Sequence, residues 1–172
     1  GIYFVAMCSA TTTIKRNDDG SLSRVVPNLD SASEVYESFI KLGFDGINPM
    51  GKNRAEMVYQ GKYCRIIRRA LQKKFSFLPP LKYDYPKVMK HFYMPEDQWN
   101  NVFPTLFPQW DRTPRAGKYE GIYINATPQN FEEHIRGALQ IIRNKPEDKK
   151  ILFLRSWNEW GEGNYVEPDS LY

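Results

Sequence analysis

Long apolar runs are missing from this chain. Nothing approaches the roughly 20 residues that a membrane-spanning helix needs, and the longest candidate, "GIYFVAM" at residues 1–7, is strand-sized and bounded by polar residues. That run also lacks a basic segment before it and a small-residue cleavage pattern after it, so it is not expected to be a signal peptide. Cysteine is scarce: Cys8 and Cys64 lie far apart at no metal-type spacing, so a disulfide scaffold has no support and both are expected as buried thiols. His91 and His134 fall in separate segments with no Cys or carboxylate at ligand spacing, and no metal site is expected. There is no D-x-D string and no phosphate-cradling glycine-rich loop. Both gaps count against a metal-dependent nucleotide-sugar transferase, so a site without cofactors is the expectation. Internal repeats and low-complexity tracts are absent.

What is present suits one packed domain over residues 1–172: 41% hydrophobic, 26% charged, with 4 Trp, 11 Tyr and 10 Phe. The net charge is +4. Its sharpest basic cluster, "RIIRRALQKK", sets Arg65, Arg68, Arg69, Lys73 and Lys74 among Ile66, Ile67, Ala70 and Leu71. Such alternation at helical spacing marks an amphipathic surface helix whatever its partner, with polyanion binding the minor reading. The chain drops into an apolar strand without an initiator Met, and is expected to be the back part of a longer polypeptide.

Four apolar runs, at 2–7, 44–48, 102–107 and 150–156, predict strands buried on both faces, as in parallel sheet. Helical patterns separate them. The first starts at Ser31, which has capping-box spacing to Glu34, carries Val35, Phe39, Ile40 and Leu42 and ends at Gly43. A second runs over 54–74 with Met57, Tyr63, Ile67, Ala70 and Leu71 inward, and a short one covers 86–92. The last has Thr127 as N-cap, Pro128 in its first turn, Glu132 and Glu133 near its start, and Phe131, Ile135, Ala138, Leu139 and Ile142 at helical spacing. Strand and helix alternating four times predicts an α/β fold with right-handed parallel crossovers, either doubly wound or part of an eight-stranded barrel. A complete (β/α)8 TIM barrel takes ~250 residues and rarely fewer than ~200, so this chain is expected to be its C-terminal half. Residues 75–101, rich in Pro, Tyr and Lys, form an excursion over one end of the sheet. An exposed sheet edge, prone to pairing with another chain or with a missing N-terminal half, is expected.

In parallel α/β folds functional groups gather where strands end, which brings residues 8–13, 48–50, 109–111 and 157–162 to one rim. The last of these opens the string "SWNEWGEGNYVEPD" at 156–169. Residues 157–169 hold Glu159, Glu162, Glu167 and Asp169 with no Lys or Arg, in an otherwise basic chain, so nucleic acid is not the expected occupant. Gly161 and Gly163 let the loop turn tightly and aim Glu159 and Glu162 inward. Two carboxylates in one pocket, desolvated by Trp157 and Trp160, are expected to part in proton affinity, giving one acid and one base. Glycosidic bond chemistry uses such a pair. Indole rings suit the apolar faces of sugars, and Asn158 can both donate to and accept from hydroxyls. A structural role stands beside this reading: the glutamates can cap a helix or pair with a basic neighbour such as Arg155, and the tryptophans can close the core.

That string, with "FPTLFPQWDRTPRAG" at 103–117 and "ATPQNFEEHIRGAL" at 126–139, resembles the C-terminal half of the WbsX-type family, proteins of polysaccharide biosynthesis clusters usually called glycosyltransferases. The family in turn resembles the endo-acting α-mannosidases of glycoside hydrolase family ninety-nine, with their eight-stranded β/α barrel. The resemblance implies that Glu159 is a base, taking a proton from the sugar's 2-hydroxyl as it attacks the anomeric carbon, and that Glu162 is the acid protonating the departing oxygen. It implies further that Trp110 and Asp111 stand beside the same cleft, that Tyr165 and Glu167 hold the loop, with Tyr165 a candidate sugar contact, and that the cytoplasm is the compartment favoured. Gly161 replaces a histidine of the hydrolases. A carbohydrate-active enzyme working on oligo- or polysaccharide is the leading expectation; a non-catalytic glycan-binding or scaffold domain and a polyanion-binding protein are its rivals.

Overall fold

The structure is a computed structural model of the chain and describes residues 1–9, 13–25, 29–75, 77–117 and 120–170. Helices and strands are mixed throughout, an α/β fold. In chain order the elements are β1 (Val5–Ser9), β2 (Thr13–Arg16), β3 (Leu22–Val25), α1 (Ser33–Lys41), β4 (Gly46–Met50), α2 (Lys52–Gln60), α3 (Lys62–Lys74) and β5 (Lys82–Asp84). There follow α4 (Tyr85–Met89), β6 (Thr105–Leu106), α5 (Thr113–Ala116), β7 (Ile122–Ile124), α6 (Pro128–Ile142), β8 (Phe153–Leu154), β9 (Asn158–Glu159) and β10 (Asn164–Tyr165). Among the described residues no helix is long and apolar enough to cross a membrane. The chain forms two compact units, Gly1–Arg54 with Phe92–Thr105 and Ala138–Phe153, and Ala55–His91 with Leu106–Gly137 and Leu154–Tyr172.

In the first unit β1 and β4 pair in parallel, from Val5 opposite Gly46 to Ser9 opposite Met50. The ladder continues from Ile47 to Val102 by a parallel bridge, and the Phe153 N–H donates to the Pro104 carbonyl at 3.0 Å. All four predicted strands thus stand next to one another in sequence order, although their boundaries shift by a few residues. The run at 44–48 becomes β4, buried through Gly46–Pro49 as expected, whereas β1 alternates and leaves Met7 63% exposed. β2 and β3 form an antiparallel hairpin that the apolar pattern did not announce. Positions 10–12 of the expected rim lie outside the described residues. The core packs Cys8, Ala32, Val35, Tyr36, Ile47, Met94 and Val102, with Phe39 and Ile40 against it. Burial, and then the charge of Asp97, pushes the Cys8 thiol up to about 12.

Helix α1 corrects the expected capping box. It begins at Ser33, and the Ala32 cap position has no side-chain hydrogen bond. Instead the carboxylate of Glu96, from a 3-10 turn at Pro95–Gln98, accepts the Ser31 hydroxyl at 2.5 Å and the Ala32 N–H at 3.1 Å. An anion at a helix N-terminus is favoured wherever in the chain it originates, so a distant carboxylate displaces the local one. The C-terminal end is as expected: the Gly43 N–H reaches the Ile40 carbonyl and Gly43 takes φ 97°.

In the second unit Gly61, at φ 81°, splits the single helix expected over 54–74 into α2 and α3. The predicted inward face of α3 is turned out: Tyr63 is 77%, Ile67 59% and Leu71 40% exposed, while Arg65 and Gln72 are buried. Electrostatics explains the reversal. The buried Glu56 of α2 accepts a 2.8 Å bond from Arg65 Nη2 and a longer one from the Tyr123 hydroxyl. A buried carboxylate without a cation is far costlier than an exposed isoleucine. Gln72 is drawn in likewise, donating to the Pro79 carbonyl. Cys64, on the same helix, is exposed rather than buried.

β5 and β7, each three residues long and centred on Tyr83 and Tyr123, pair in parallel. They were not predicted; the short helix expected at 86–92 is present as α4, which starts at Tyr85 and ends at Met89. Tyr83, Tyr85 and Phe107 surround Tyr123 at ring separations of 5.8–6.1 Å. The α6 N-terminus is as predicted: Thr127 Oγ1 accepts from the Asn130 N–H at 3.3 Å, and Pro128 occupies the first turn. That helix delivers His134 into the core, where Nε2 accepts the Phe107 N–H.

The polar centre of the first unit sets a pH dependence. Asp97 accepts from the Tyr36 hydroxyl at 2.6 Å and from the Met94 N–H, and the Lys145 ammonium donates to the Asp97 and Val102 carbonyls. Burial outweighs these partners and raises the Asp97 carboxyl to about 6, while burial lowers Lys145 to about 8. Between its ordinary value and about 6 the folded state holds an Asp97 proton that the unfolded chain has lost. This contribution is therefore whole at the acid end and is lost as pH rises through about 6, by at most ~1.4 kcal/mol per pH unit. Lys145 acts with the opposite slope, restoring stability as pH rises beyond about 8. Urea denaturation across pH 4–6 should show the loss, and Asp97→Asn should flatten it; an unchanged slope in the variant refutes the assignment.

Candidate functional site

The Arg155 N–H donates to the Leu106 carbonyl at 2.9 Å, and beyond the cis Arg155–Ser156 peptide the chain makes a small antiparallel hairpin. β9 pairs with β10, Glu159 opposite Asn164 and Asn158 opposite Tyr165, around a 3-10 turn at Trp160–Glu162. Ser156 staples its base, its hydroxyl accepting from the Glu159 N–H and donating to the Asn164 carbonyl at 2.6 Å. The Trp157 carbonyl accepts from the Val166 and Glu167 amides. Gly163 closes the turn at φ 52°, where a Cβ would lie 2.8 Å from the Asp111 carbonyl oxygen. That close approach lets the Asp111 N–H donate to the Glu162 carbonyl at 3.0 Å.

The two glutamates occupy unlike surroundings. Glu159 is exposed, with Oε1 over Gly161, 3.1 Å from where a Cβ would stand. Glu162 has a side chain only 12% exposed and meets three guanidinium groups: Arg112 Nε at 3.3 Å, Arg155 Nη2 at 3.6 Å and Arg115 Nη1 at 3.9 Å. The spacing led us to expect a mutually repelling pair; around Glu162 the structure shows an ion-pair cluster. Asp111 Oδ1 accepts from both the amide and the hydroxyl of Thr113, which fixes the start of α5 and with it Arg115.

The aromatic candidates divide as well. Trp157 is 59% and Trp160 51% exposed. Trp160 stacks on Tyr165 with ring centroids 3.7 Å apart, and its Nε1 donates to Glu167 Oε2 at 2.6 Å. The Tyr165 hydroxyl donates to Asp169, and that bond, with burial and the carboxylate's charge adding to it, raises the phenol above its ordinary range. Glu167 thus braces the loop, as the resemblance implies. Trp110 packs inward, 7% exposed and stacked on Phe107. Asn158 is exposed on β9, and Asn164 is fully buried with both side-chain polar atoms unbonded.

Beside the hairpin lies an open cavity of about 400 Å³, walled by Pro108, Gln109, Pro128, Phe131, Tyr165 and Asp169 among others. Neither Glu159 nor Glu162 lines it. Sequence reasoning did not find this cavity, nor Arg112 and Arg115 as partners of Glu162, although the R-x-x-R spacing inside "WDRTPRAG" was there to be read. Among the described residues no group of three or more His, Cys, Asp or Glu side chains is placed to hold a metal ion.

The profile of the family named Glycosyltransferase WbsX matches residues 7–172. Two curated proteins called "Uncharacterized protein WxcX", from two strains of Xanthomonas campestris pv. campestris, are each 33% identical over 70 residues, covering 40% of this chain and 10% of the relative. The chain thus matches about a tenth of the length of these curated relatives. No solved structure matches it.

The contact between Gly163 and Asp111 generates a prediction. Gly163→Ala combines a left-handed backbone with a Cβ pressed on main-chain atoms, and should cost about 1–3 kcal/mol. Thermal unfolding should show the loss, and tryptophan emission should shift red as Trp160 leaves Tyr165. An alanine variant with unaltered melting and emission would show that the turn does not depend on this contact.

Proposed function

Because the chain belongs to the glycosyltransferase WbsX family, we propose that it acts on carbohydrate, making or breaking a glycosidic bond in a polysaccharide at the turn around Glu159. One observation carries this reading: an exposed carboxylate flanked by two half-exposed indole rings on a turn pinned by Gly163 and Asp111. The indole faces supply apolar platforms for pyranose rings, Asn158 supplies a donor and an acceptor for hydroxyls, and Glu159 takes a hydroxyl proton as general base.

Glu162 fits a different task from the one the mannosidase resemblance gives it. Its carboxylate meets three guanidinium groups, so we assign it the gathering of Arg112, Arg115 and Arg155. The parallel succession of β1, β4 and the 102–104 stretch supports reading the fold as consecutive units of a (β/α)8 barrel. A second reading, a glycan-binding module without turnover, is favoured by the cavity beside the hairpin, since neither glutamate lines it.

Glu159→Gln separates the two. With reducing-end-labelled oligosaccharides, and glycosyl phosphates added as donors in a parallel series, turnover should fall by roughly 10²–10⁴-fold, while oligosaccharide affinity measured by calorimetry stays within about threefold. Full turnover in the variant refutes the base assignment; binding with no turnover in either protein supports the module.

A further inference from the structure

Helix α3 turns its apolar side to solvent. Tyr63, Ile66, Ile67 and Leu71 stand at spacings of three and four, which places them on one helix face, and all four are exposed, Ile66 by 57%. The same character continues past the end of the helix, where Phe75 is exposed and Phe77 is 80% exposed, their rings 5.8 Å apart. Apolar residues scattered singly over a surface are ordinary, whereas a succession of them along one helix and its exit marks a place where something docks. The orientation is fixed from behind. Arg65 and Gln72, on the opposite side of α3, are held by Glu56 and by the Pro79 carbonyl. The apolar face cannot roll inward without breaking the buried pair of Glu56 and Arg65.

Charge names the occupant. From Met57 to Tyr83 the chain has no Asp or Glu, while Lys and Arg take seven of those positions, among them Arg68, Lys74 and Lys82. The exposed Lys74 sets its ammonium 5.7 Å over the Phe75 ring, so cation and apolar ring share one outward surface. A second copy of the chain meeting α3 face to face would oppose two basic, acid-free stretches, which repel. A soluble polyanion would take the cations and leave the apolar side chains in water. An anionic lipid surface satisfies both, its headgroups receiving the positive charges and its acyl boundary the isoleucines and aromatic rings. We propose that the exposed face of α3, with Phe75 and Phe77, docks on the surface of an anionic lipid bilayer. At 13 residues, roughly 20 Å in length, the helix lies along such a surface rather than across it.

The test mixes the whole chain with vesicles of phosphatidylcholine alone, and with vesicles in which about a third of the lipid is phosphatidylglycerol, and reads the bound fraction by sedimentation. Binding to the anionic vesicles is expected to be at least about tenfold tighter than to the neutral ones, and to weaken as salt rises. Ile66→Ser with Ile67→Ser alters two exposed positions without changing charge, and should weaken binding about tenfold. Lys74→Glu should weaken it severalfold on the anionic vesicles. No sedimentation with either vesicle, or no preference for the anionic one, overturns the proposal. So does undiminished binding by the folded serine double variant, which would leave a polyanion site that makes no use of the apolar face. Should that variant fail to fold by circular dichroism, Lys74→Glu decides, and wild-type binding by it refutes the lipid surface. A dimer in sedimentation velocity that the serine substitutions split into monomers would assign the face to a second copy and refute it equally.

Discussion

A single main-chain hydrogen bond, from the Asp111 N–H to the Glu162 carbonyl, determines where everything at the candidate site stands. It forms because residue 163 has no side chain: a Cβ there would press on both the nitrogen and the oxygen of Asp111. The same bond carries the ion pairs with it. Arg112 follows Asp111 directly, Asp111 caps the turn that starts α5 through Thr113, and Arg115 rides on that turn. Backbone, cap and charge thus share one joint, so loosening any of them would loosen the others. On the far side of the hairpin Ser156 and Trp157 perform a similar service with their oxygens, leaving Glu159 and the two indole rings as the parts that face outward.

Elsewhere the fold is shaped by carboxylates placed where water does not reach. Glu56 draws Arg65 inward and inverts a helix; Glu96 takes over the N-terminus of α1; Asp97 sits among Tyr36, Met94 and Lys145. Each is costly to desolvate and costlier to leave alone. Neighbouring chain is therefore recruited to satisfy them at the expense of local preference. The exposed Tyr63, Ile66 and Ile67 of α3 are the visible result.

How much was legible follows the range of the interactions involved. β1, β4, the body of α1, its glycine stop and the Thr127 cap of α6 are written in nearest-neighbour terms, as apolar spacing and terminal residues, and sequence reasoning located them. The placement of the W-N-E-W string on a tight turn after a strand was legible for the same reason, since its glycines state the backbone they require. β5 and β7 are too short to show a period, and Tyr83 and Tyr123 pack as rings rather than as members of an alternating run. The capping of α1 by Glu96 and the pairing of Glu162 with Arg112 and Arg115 depend on partners remote in the chain, and the orientation of α3 depends on a pairing across the α2–α3 break, which the apolar period of a single helix does not encode.

The order in which the joint's two halves are synthesised has a consequence for the nascent chain. Arg112 and Arg115 precede β7 and the whole of α6, while Glu162 follows β8. At ~5–20 residues per second on the ribosome, these guanidiniums wait for seconds without the carboxylate that gathers them. A chain cut before residue 157 would lack both the β9–β10 hairpin and Glu162, and with them the carboxylate that Arg112 and Arg115 meet in the folded protein.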